Sequence, residues 1–524
     1  MKNLIIVFTC LCTIVHAQPT FNHQYNLNYN YKLLTSVLPT DSCYYVTGLI
    51  TDTADQSYRL GLLFLKLDLE GEIEIENKTV SDDVWFQPWR GDLLDNGDGS
   101  FYKIADKTDS VYSVSLLKIN TIGDTLFTRT YLNPMFPEED FIVIAAAKQK
   151  IDGEMYLLCG VDSDPNGVDP DIFLIKVTVD GQVIGSYKYG QSVVREIPYS
   201  LLIDSDGGAI IGANKTNESS LGNNFYSRTY IFKVNKSGQV QWEYHTPNSD
   251  LFDIAMDMIR TPDGGIVVAT GKGIEHVINS QISELRWNSY LLKLNANHQK
   301  EWGVELRGTR HSAGTGFKKV VESVDGYGYV AMGNLGEDVS IGEEVYGSWV
   351  AKVSPEGDSL WARYYSFFDS IKTEPRPYDL KTTPDGGYVI VGETRPDLPT
   401  GFAQRAWIMK LDRHGCLIPD CHGGDTVVVA TKQPMGSPVK LAIYPNPTSD
   451  FLNFQLRSAM PIHEARFRVV DINGRVVKEL ESRMPKETHI VPVQGWPAGV
   501  YFLQYVVDGL VRHSERFVVL KQKG

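Results

Sequence analysis

The chain has 524 residues, of which 42% are apolar and 22% charged, which is the composition of a globular protein and a length beyond one ordinary domain. Its net charge of −14 is unevenly spread, because residues 435–524 hold 12 Lys or Arg against 8 Asp or Glu, while residues 18–434 carry −19. Such an acidic body excludes nucleic acid and anionic membrane as expected partners of the larger part.

The first residues have the pattern of a secretory signal peptide, predicted over residues 1–17. A lysine precedes an apolar run from Leu4 to Val15, which is too short to span a membrane comfortably, and Ala17 is a small residue before the expected cut. A lipoprotein anchor is not expected, because both cysteines of this segment lie inside the apolar run. No later stretch is apolar for about 18 residues, so we expect no membrane span and a mature chain that starts near Gln18.

The middle of the chain repeats one unit seven times. Each copy contains an apolar strand with one lysine, as in "FLIKVTVDG", and successive lysines are 52 to 60 residues apart. A turn and a strand such as "TPDGGIVVAT" precede each lysine, and Asp-Gly and Gly-Gly supply the positive φ angles of tight hairpins. In five copies an apolar residue, tryptophan in three of them, follows nine positions after the lysine. The repeat lysines are Lys66, Lys118, Lys176, Lys233, Lys293, Lys352 and Lys410.

Each unit is predicted to contain four short strands, with almost no helical periodicity. Strands that are apolar at nearly every position, such as "YVIVG", must be covered on both faces, as stacked blades would cover them. We therefore predict an all-β fold, with a seven-bladed β-propeller over residues 18–422 followed by a small C-terminal β-sandwich of the immunoglobulin-like type. A flat solenoid is the alternative, but a closed ring needs no caps at its ends.

Closure of the ring predicts how its ends meet. The seventh unit lacks an outer strand, because Pro419 stands where three other units have tryptophan. The alternating stretch His23–Tyr31 is predicted to complete this unit from the start of the chain. The competing donor is Asp425–Thr431.

Four cysteines remain after the predicted signal peptide. Cys416 and Cys421 are predicted to form a small disulfide loop, as is common in exported proteins. Cys43 and Cys159 fall in apolar strands of units 1 and 3, which are not neighbours in the predicted ring. We therefore expect these two residues to be buried free thiols.

The segment "DSDPNGVDPD" is the best candidate for a bound ion. Its oxygen-bearing side chains cluster around a sharp turn and suit a hard cation such as Ca²⁺. The twelfth position is Phe173, which excludes a true EF-hand, and a solvated acidic loop is the alternative. The predicted calcium ligands are Asp162, Asp164, Asn166 and Asp169.

Signatures of catalysis are absent from the sequence, which contains no Gly-x-Ser-x-Gly, no His-Glu-x-x-His and no phosphate loop. "TPDGG" at Thr261 and Thr383 has the spacing of half a sialidase Asp-box, but we interpret it as a plain hairpin turn. The tripeptide in "WRGD" at residues 89–92 is close to a chance match. No catalytic residue is assigned. Loop side chains that could line a binding face are Trp85, Trp89, Arg90, Arg310 and His311.

The last eighty or so residues are predicted to form short strands separated by turns. "YPNP" at residues 444–447 precedes an alternating strand, and its prolines cannot continue a helix or a central strand. "DINGR" has the residues of a hairpin turn, and "WPAGVYFLQY" opens a further strand before the final "RFVVLK". Short strands at regular spacing predict the small sandwich.

These segments, in this order and spacing, resemble the type A C-terminal sorting domain of the type IX secretion system. The resemblance covers residues 442–524, after a flexible linker over residues 423–441 in which cleavage could occur. It implies that Sec exports the chain to the periplasm and that the type IX machinery then carries the cargo through the outer membrane. Such a domain is usually removed as the cargo is released or attached to surface lipopolysaccharide. The motif residues are Tyr444, Pro445, Asn446, Pro447, Asp471, Gly474, Arg475, Gly499, Tyr501 and Lys521.

The activity of the larger part is less defined by its sequence. The repeats resemble those of secreted bacterial propeller proteins, but a shared fold does not give a function. We predict a non-catalytic module that binds an extracellular protein or glycan. The alternative is a hydrolase or lyase acting on polysaccharide, which would need two carboxylates from different units in the propeller funnel.

Overall fold

The computed structural model is built of β-strands. It describes residues 19–521 except 30, 53–58, 82–84, 89–90, 110–111, 133–145, 150–152, 163–169, 192–193, 217–226, 248–250, 253–255, 280–281, 307–315, 336–346, 369–371, 397–403, 418–438, 459–461, 463–464, 484–486 and 508–509. The regular structure of these residues consists of 37 strands. Nothing in the described ranges forms a helix long and apolar enough to cross a membrane.

The strands follow the predicted repeats in chain order, after a first strand, β1 (Phe21–Tyr25). Unit 1 contains β2 (Tyr31–Pro39), β3 (Tyr44–Asp52), β4 (Arg59–Leu67) and β5 (Ile73–Thr79). Unit 2 contains β6 (Trp85–Gln87), β7 (Leu94–Asp95), β8 (Ser100–Thr108), β9 (Tyr112–Asn120) and β10 (Thr125–Tyr131). Unit 3 contains β11 (Ala146–Gln149), β12 (Glu154–Asp162), β13 (Pro170–Thr178) and β14 (Val183–Tyr189). Unit 4 contains β15 (Glu196–Ile203), β16 (Ala209–Thr216), β17 (Ser227–Val234) and β18 (Val240–His245).

The later units have the same organisation. Unit 5 contains β19 (Leu251–Phe252), β20 (Asp257–Arg260), β21 (Ile266–Asn279), β22 (Ile282–Leu294) and β23 (Lys300–Leu306). Unit 6 contains β24 (Phe317–Glu322), β25 (Tyr329–Leu335), β26 (Gly347–Val353) and β27 (Ser359–Phe368). Unit 7 contains β28 (Lys372–Thr382), β29 (Tyr388–Pro396) and β30 (Arg405–Leu411). Units 1 to 5 form separate antiparallel sheets, whereas units 6 and 7 share one sheet because the end of β27 pairs with the start of β28.

The first strand completes the last unit. Strand β1 pairs antiparallel with β30, and Phe21 lies opposite Lys410. In units 4, 5 and 6 a tryptophan lies opposite the repeat lysine, so Phe21 takes the place of the tryptophan that unit 7 lacks. The prediction that the start of the chain supplies this strand is confirmed, but the strand spans Phe21–Tyr25 and not His23–Tyr31. Residues 425–431, the competing donor, lie outside the described ranges.

Five of the seven repeat lysines form ion pairs with the hairpin turn of their own unit. Lys233 lies 2.6 Å from Asp206, and Lys352 lies 2.6 Å from Asp325, each carboxylate belonging to the turn before the preceding strand. Lys410 makes the equivalent contact with Asp385 at 3.0 Å. The carboxylates also accept hydrogen bonds within the turn, so the repeated lysine has a structural role.

Apolar clusters join each unit to the next one. Val46 of unit 1, for example, packs with Val389 and Ile408 of unit 7, and Leu62 of unit 1 packs with Phe101 of unit 2. Corresponding clusters join units 2 and 3, 3 and 4, 4 and 5, 5 and 6, and 6 and 7. The core of the repeat region therefore lies between neighbouring sheets, which explains why its strands are apolar on both faces.

The C-terminal region consists of two groups of strands around one core. The first group is β31 (Val439–Tyr444), β32 (Phe451–Ser458) and β35 (Thr488–Pro492). The second is a four-stranded sheet of β33 (Ala465–Asp471), β34 (Val476–Ser482), β36 (Gly499–Val507) and β37 (Leu510–Val519). Phe454 of the first group contacts Phe467 of the second at a ring-centre distance of 4.9 Å. Strand β31 begins at Val439, inside the predicted linker of residues 423–441. Val439 and Leu441 contribute to the core of the C-terminal region.

Candidate functional site

The first strands of four units carry bulges near their hairpin turns. The pairing register shifts just before Ser36, Ser200, Lys319 and Asp379 in β2, β15, β24 and β28. Each of these residues lies four positions before its turn, and a bulge at this point redirects the side chain that follows it. Asp92 and Asp257 occupy the equivalent positions in units 2 and 5.

Six charged side chains from four units meet in this region. We call them the inner-strand cluster; they are Asp92, Lys103, Asp257, Lys319, Asp379 and Lys381. Lys381 Nζ lies 3.0 Å from Asp92 Oδ1 and 3.6 Å from Asp379 Oδ1. Lys319 Nζ lies 3.4 Å from Asp92, 3.6 Å from Asp379 and 4.0 Å from Asp257. These contacts therefore join units that are distant in the chain.

Lys103 is the most deeply buried cation of the inner-strand cluster. Its side chain is 0% exposed. The equivalent residue of unit 7 is Ile390, because each of the two residues directly follows the one that pairs with the repeat lysine. Its Nζ donates a hydrogen bond to the Gly91 carbonyl oxygen at 2.5 Å. Burial lowers the pKa of Lys103 to about 7, although Asp379 and Asp92 oppose the shift. No bulk water reaches this amine, so it does not form an accessible reactive site.

The pKa of Lys319 moves in the other direction. Burial lowers it, but the carboxylates of Asp257, Asp92 and Asp379 outweigh burial and raise the pKa well above its ordinary value. Lys381 also has a raised pKa, because Asp379 and Asp92 outweigh the effect of its burial. Both lysines are therefore charged at neutral pH, and each is matched by carboxylates.

Side chains at the bulge positions also bond the backbone of the next unit. In each case an oxygen of one unit accepts a hydrogen bond from a main-chain N–H of its neighbour. The three bonds are Leu93 N to Ser36 Oγ (2.8 Å), Val320 N to Asp257 Oδ2 (3.1 Å) and Val37 N to Asp379 Oδ2 (3.0 Å). The third bond joins unit 7 to unit 1. The side chains at these positions, two of which belong to the inner-strand cluster, therefore hold neighbouring units together.

A second polar group lies in unit 7 and includes a buried acid. Glu393 is 0% exposed, and its Oε1 accepts hydrogen bonds from Tyr378 OH at 2.8 Å and from Arg395 Nε at 2.7 Å. Its Oε2 is buried and has no hydrogen-bond partner within the described ranges. Burial raises the pKa of Glu393, with Arg395 and Tyr378 opposing the shift. A carboxyl group with a raised pKa can donate a proton in general acid catalysis.

The Pro-Asn-Pro segment of the C-terminal region connects β31 to β32 and is fixed to the last strand. Asn446 Nδ2 donates to the Arg516 carbonyl oxygen at 3.0 Å, and Asn446 Oδ1 accepts from Val518 N at 3.0 Å. The Tyr444–Pro445 and Asn446–Pro447 peptide bonds are cis. This segment therefore holds the end of β31, the first strand of the region, against β37, the last one.

The other predicted motif residues form turns and edges of the same region. Asp471 Oδ1 accepts from Arg475 N at 3.0 Å, and Gly474 has the positive φ of 77° that this turn requires. Gly499 begins β36, and Tyr501 OH donates to the Pro497 carbonyl oxygen at 2.7 Å. Lys521 follows β37 and is exposed. The motif is thus a set of structural positions.

A family comparison identifies this region. Residues 442–520 match the family model described as the secretion system C-terminal sorting domain. This region is a type IX secretion sorting domain. The sorting domain indicates that the protein is secreted or displayed on the cell surface and that it interacts with the secretion machinery. No curated protein matches the chain.

Solved structures share low similarity with this chain. Periplasmic gluconolactonase PpgL of Pseudomonas aeruginosa is 12% identical with a TM-score of 0.34, over 63% of this chain and 84% of its own. α-L-Arabinanase of Penicillium chrysogenum, complexed with arabinobiose, is 12% identical with a TM-score of 0.39, over 62% and 92%. A protein of unknown function from Dyadobacter fermentans is 10% identical with a TM-score of 0.37, over 65% and 96%. Similarity at this level does not define an activity for the chain.

The predicted calcium loop lies largely outside the described residues. Asp162 ends β12, but its side chain and residues 163–169, which include Asp164, Asn166 and Asp169, are not described. Across the described part of the chain, no group of three His, Cys, Asp or Glu side chains could hold a metal ion. Calcium binding at this loop stays a prediction.

The remaining predicted positions are divided between described and undescribed residues. Trp85 is 44% exposed, whereas Trp89, Arg90, Arg310 and His311 lie outside the described ranges. Asp92 of "WRGD" is buried in the inner-strand cluster, which makes it unsuitable as an exposed recognition residue.

The cysteines are in two states. Cys416 is disulfide-bonded, and Cys421, its predicted partner, lies outside the described residues, so the pairing itself stays a prediction. Cys43 and Cys159 are free and buried. Burial also raises the pKa of the Cys159 thiol, so it is protonated and unreactive at neutral pH.

The inner-strand cluster and Glu393 were not predicted from the sequence. A signal was present, because the position four residues before the turn carries Asp or Lys in units 2, 5, 6 and 7. Lys103 is a second signal, since the corresponding positions of other units are apolar. Which of these charges would meet could not be predicted, because they come from units that are distant in the chain.

Proposed function

We propose that the repeat region is a closed seven-bladed β-propeller and that the sorting domain is an immunoglobulin-like β-sandwich. Closure is supported by the apolar cluster between units 7 and 1 and by the Val37 N to Asp379 Oδ2 bond. Outer strands give further support: Tyr131 of unit 2 bonds Gly181 of unit 3 at 2.9 Å, and Tyr25, in the outer strand of unit 7, bonds Gly71 of unit 1 at 2.6 Å.

We propose that the protein passes through Sec, by means of the signal peptide at residues 1–17, and then crosses the outer membrane by the type IX system. The sorting domain is the observation that carries this proposal. The cargo would then be released or attached to the outer cell surface.

Export is tested by deleting residues 442–524 and following the protein in cell fractions. We expect the truncated chain to accumulate in the periplasm while the full-length chain leaves the cell or reaches its surface. Protease resistance of the periplasmic material checks that the repeat region has folded. Normal release of the truncated chain would overturn the proposal.

We propose that the exported repeat region is a non-catalytic module that binds an extracellular protein or glycan. This is supported by the inner-strand cluster, because its carboxylates are engaged by lysines and backbone N–H groups and are not left for acid/base chemistry. Binding would then fall to the loops between strands, as is usual for rigid β scaffolds. A binding screen of the mature full-length chain against glycans and secreted proteins tests this, and an absence of any ligand would count against it.

A polysaccharide-acting hydrolase or lyase is the alternative, and Glu393 is the observation that favours it. Its raised pKa is a property of a general acid, but the side chain is 0% exposed, so this function requires a substrate that displaces the side chains around it. A glycan-cleavage screen with the wild-type chain and Glu393→Gln separates the two functions. Cleavage that is lost in Glu393→Gln but kept in Glu76→Gln, an exposed control in β5, would favour the enzyme. Binding without cleavage would favour the module.

A further inference from the structure

The sorting domain packs on the edge of units 6 and 7 by sharing a sheet with them. Strand β35 runs parallel to β27, with Tyr365 opposite Thr488 and Phe367 opposite Ile490. On its other side β35 pairs antiparallel with β32 of the sorting domain. One continuous sheet therefore passes from the repeat region into the sorting domain, which is the geometry of strand addition.

Two apolar side chains of the sorting domain anchor this contact. Phe451 is 2% exposed and Ile490 is 0% exposed, and both belong to the cluster that contains Tyr365, Trp407 and Leu417 of units 6 and 7. Fully desolvated aromatic and aliphatic anchors are typical of the centre of stable interfaces. The cluster that joins units 6 and 7 is thus extended by residues of the sorting domain.

Polar contacts link the sorting domain to the start of the chain as well. Tyr444 OH donates to the Thr20 carbonyl oxygen at 3.1 Å, and His23 Nδ1 lies 3.6 Å from Asp450 Oδ2. Thr20 Oγ1 in turn donates to the Leu417 carbonyl oxygen at 3.0 Å, where the described part of unit 7 ends. The sorting domain therefore contacts both ends of the repeat region.

We propose that this surface holds the sorting domain without help from the linker, so that the domain stays bound to its cargo after the chain is cut between residues 422 and 438. The docking surface is the edge of β27. Its partner is a parallel strand that buries an aliphatic side chain, Ile490 in this chain, at the position opposite Phe367. While the linker is intact, docking is intramolecular and favoured by a high effective concentration. After the cut, only the contacts described above retain the domain. The proposal does not depend on which ligand the repeat region binds or on the route of export.

The test is a protease site inserted at residue 430 of the mature full-length chain. The purified protein is cut at this site and run on gel filtration at about 10 μM, a concentration at which partners with a Kd below about 1 μM stay together. We expect the two fragments to co-elute. Separation of the cut wild-type fragments would overturn the proposal.

Variants of the cut protein identify the surface. Ile490→Asp is expected to separate the fragments, whereas Val476→Asp, at a side chain of the same domain that is 43% exposed, is expected to leave them together. Because Ile490→Asp could unfold the sorting domain, a second variant combines His23→Ala with Tyr444→Phe and keeps both apolar anchors, Phe451 and Ile490, in place. Its Kd is expected to rise about tenfold. Wild-type affinity in both interface variants would show that the fragments associate elsewhere and would overturn the assignment.

Discussion

Replacing Asp379 by alanine is expected to destabilise the repeat region strongly. The side chain is 1% exposed, accepts a hydrogen bond from Val37 N at 3.0 Å, and lies 3.6 Å from both Lys319 and Lys381. Its removal leaves a buried N–H without an acceptor and two cations with one carboxylate fewer. Breaking a buried charge network by removing one partner costs about 3–5 kcal/mol. Asp379→Asn keeps an acceptor for Val37 and is expected to cost about 1–3 kcal/mol.

The measurement is guanidinium unfolding of the full-length chain followed by tryptophan fluorescence. Glu76→Gln, on the exposed face of β5, is the control and should stay within about 0.5 kcal/mol of the wild type. The double variant Asp379→Ala with Lys381→Met should recover part of the loss, because it removes a cation that the single variant leaves unpaired. A stability of Asp379→Ala within about 0.5 kcal/mol of the wild type would refute the idea that this carboxylate joins unit 7 to unit 1.

Four further outcomes are expected. The pKa of Lys103 is about 7 in the folded chain and close to its ordinary 10.5 in the unfolded chain, so the unfolded chain binds the extra proton between these values. Wild-type stability relative to Lys103→Met should therefore rise from pH 7 to pH 10, and a flat difference would contradict the burial of this amine. Thiol labelling of the denatured, unreduced mature chain should modify Cys43 and Cys159 only, as read by mass spectrometry, and four modified cysteines would exclude the disulfide. Asn446→Ala should destabilise the sorting domain by about 1–2 kcal/mol in thermal unfolding, since it removes two hydrogen bonds to the last strand; an unchanged midpoint would show that the segment is not fixed this way. Calcium titration calorimetry should give binding that is lost in Asp164→Ala with Asp169→Ala, and an absence of binding to the wild type would leave the solvated loop as the explanation.

Sequence alone identified the features of the fold that depend on local pattern. The repeat lysine, the Asp-Gly turn and the apolar strands recur at one spacing, and each has a local physical cause: an ion pair, a positive φ angle and burial on both faces. The sorting domain was recognisable for the same reason, because its turns at Asn446 and Asp471 depend on particular residue types. The sequence predicted that the start of the chain supplies the closing strand, but it did not predict the bounds of that strand. The bounds depend on pairing with a distant strand, in which Phe21 lies opposite Lys410.

The candidate sites depend on distance in space and could not be predicted in the same way. Lys381 donates a hydrogen bond to Asp92 across 289 residues of chain, and no periodicity connects the two residues. Glu393 follows a glycine in a strand that looks like any other apolar strand, and its burial depends on Tyr378 and Arg395. The contact between β35 and β27 was also unforeseen, because the edge of a strand has no signature in its own sequence.

The pairing of β1 with β30 sets an order on the assembly of the molecule. Asn22 accepts a hydrogen bond from Trp407 across 385 residues, and the ribosome makes Asn22 first. Until β30 has been made, β1 lacks the strand with which it pairs, while the six earlier units can each pair their own strands. The segment that forms β1 therefore stays without its strand partner through most of synthesis. Long-range pairings of this kind form late. The last step joins the two ends of the chain. Removing a few residues after Gln18 is therefore expected to destabilise unit 7, where Trp407 lies 385 residues away from Asn22.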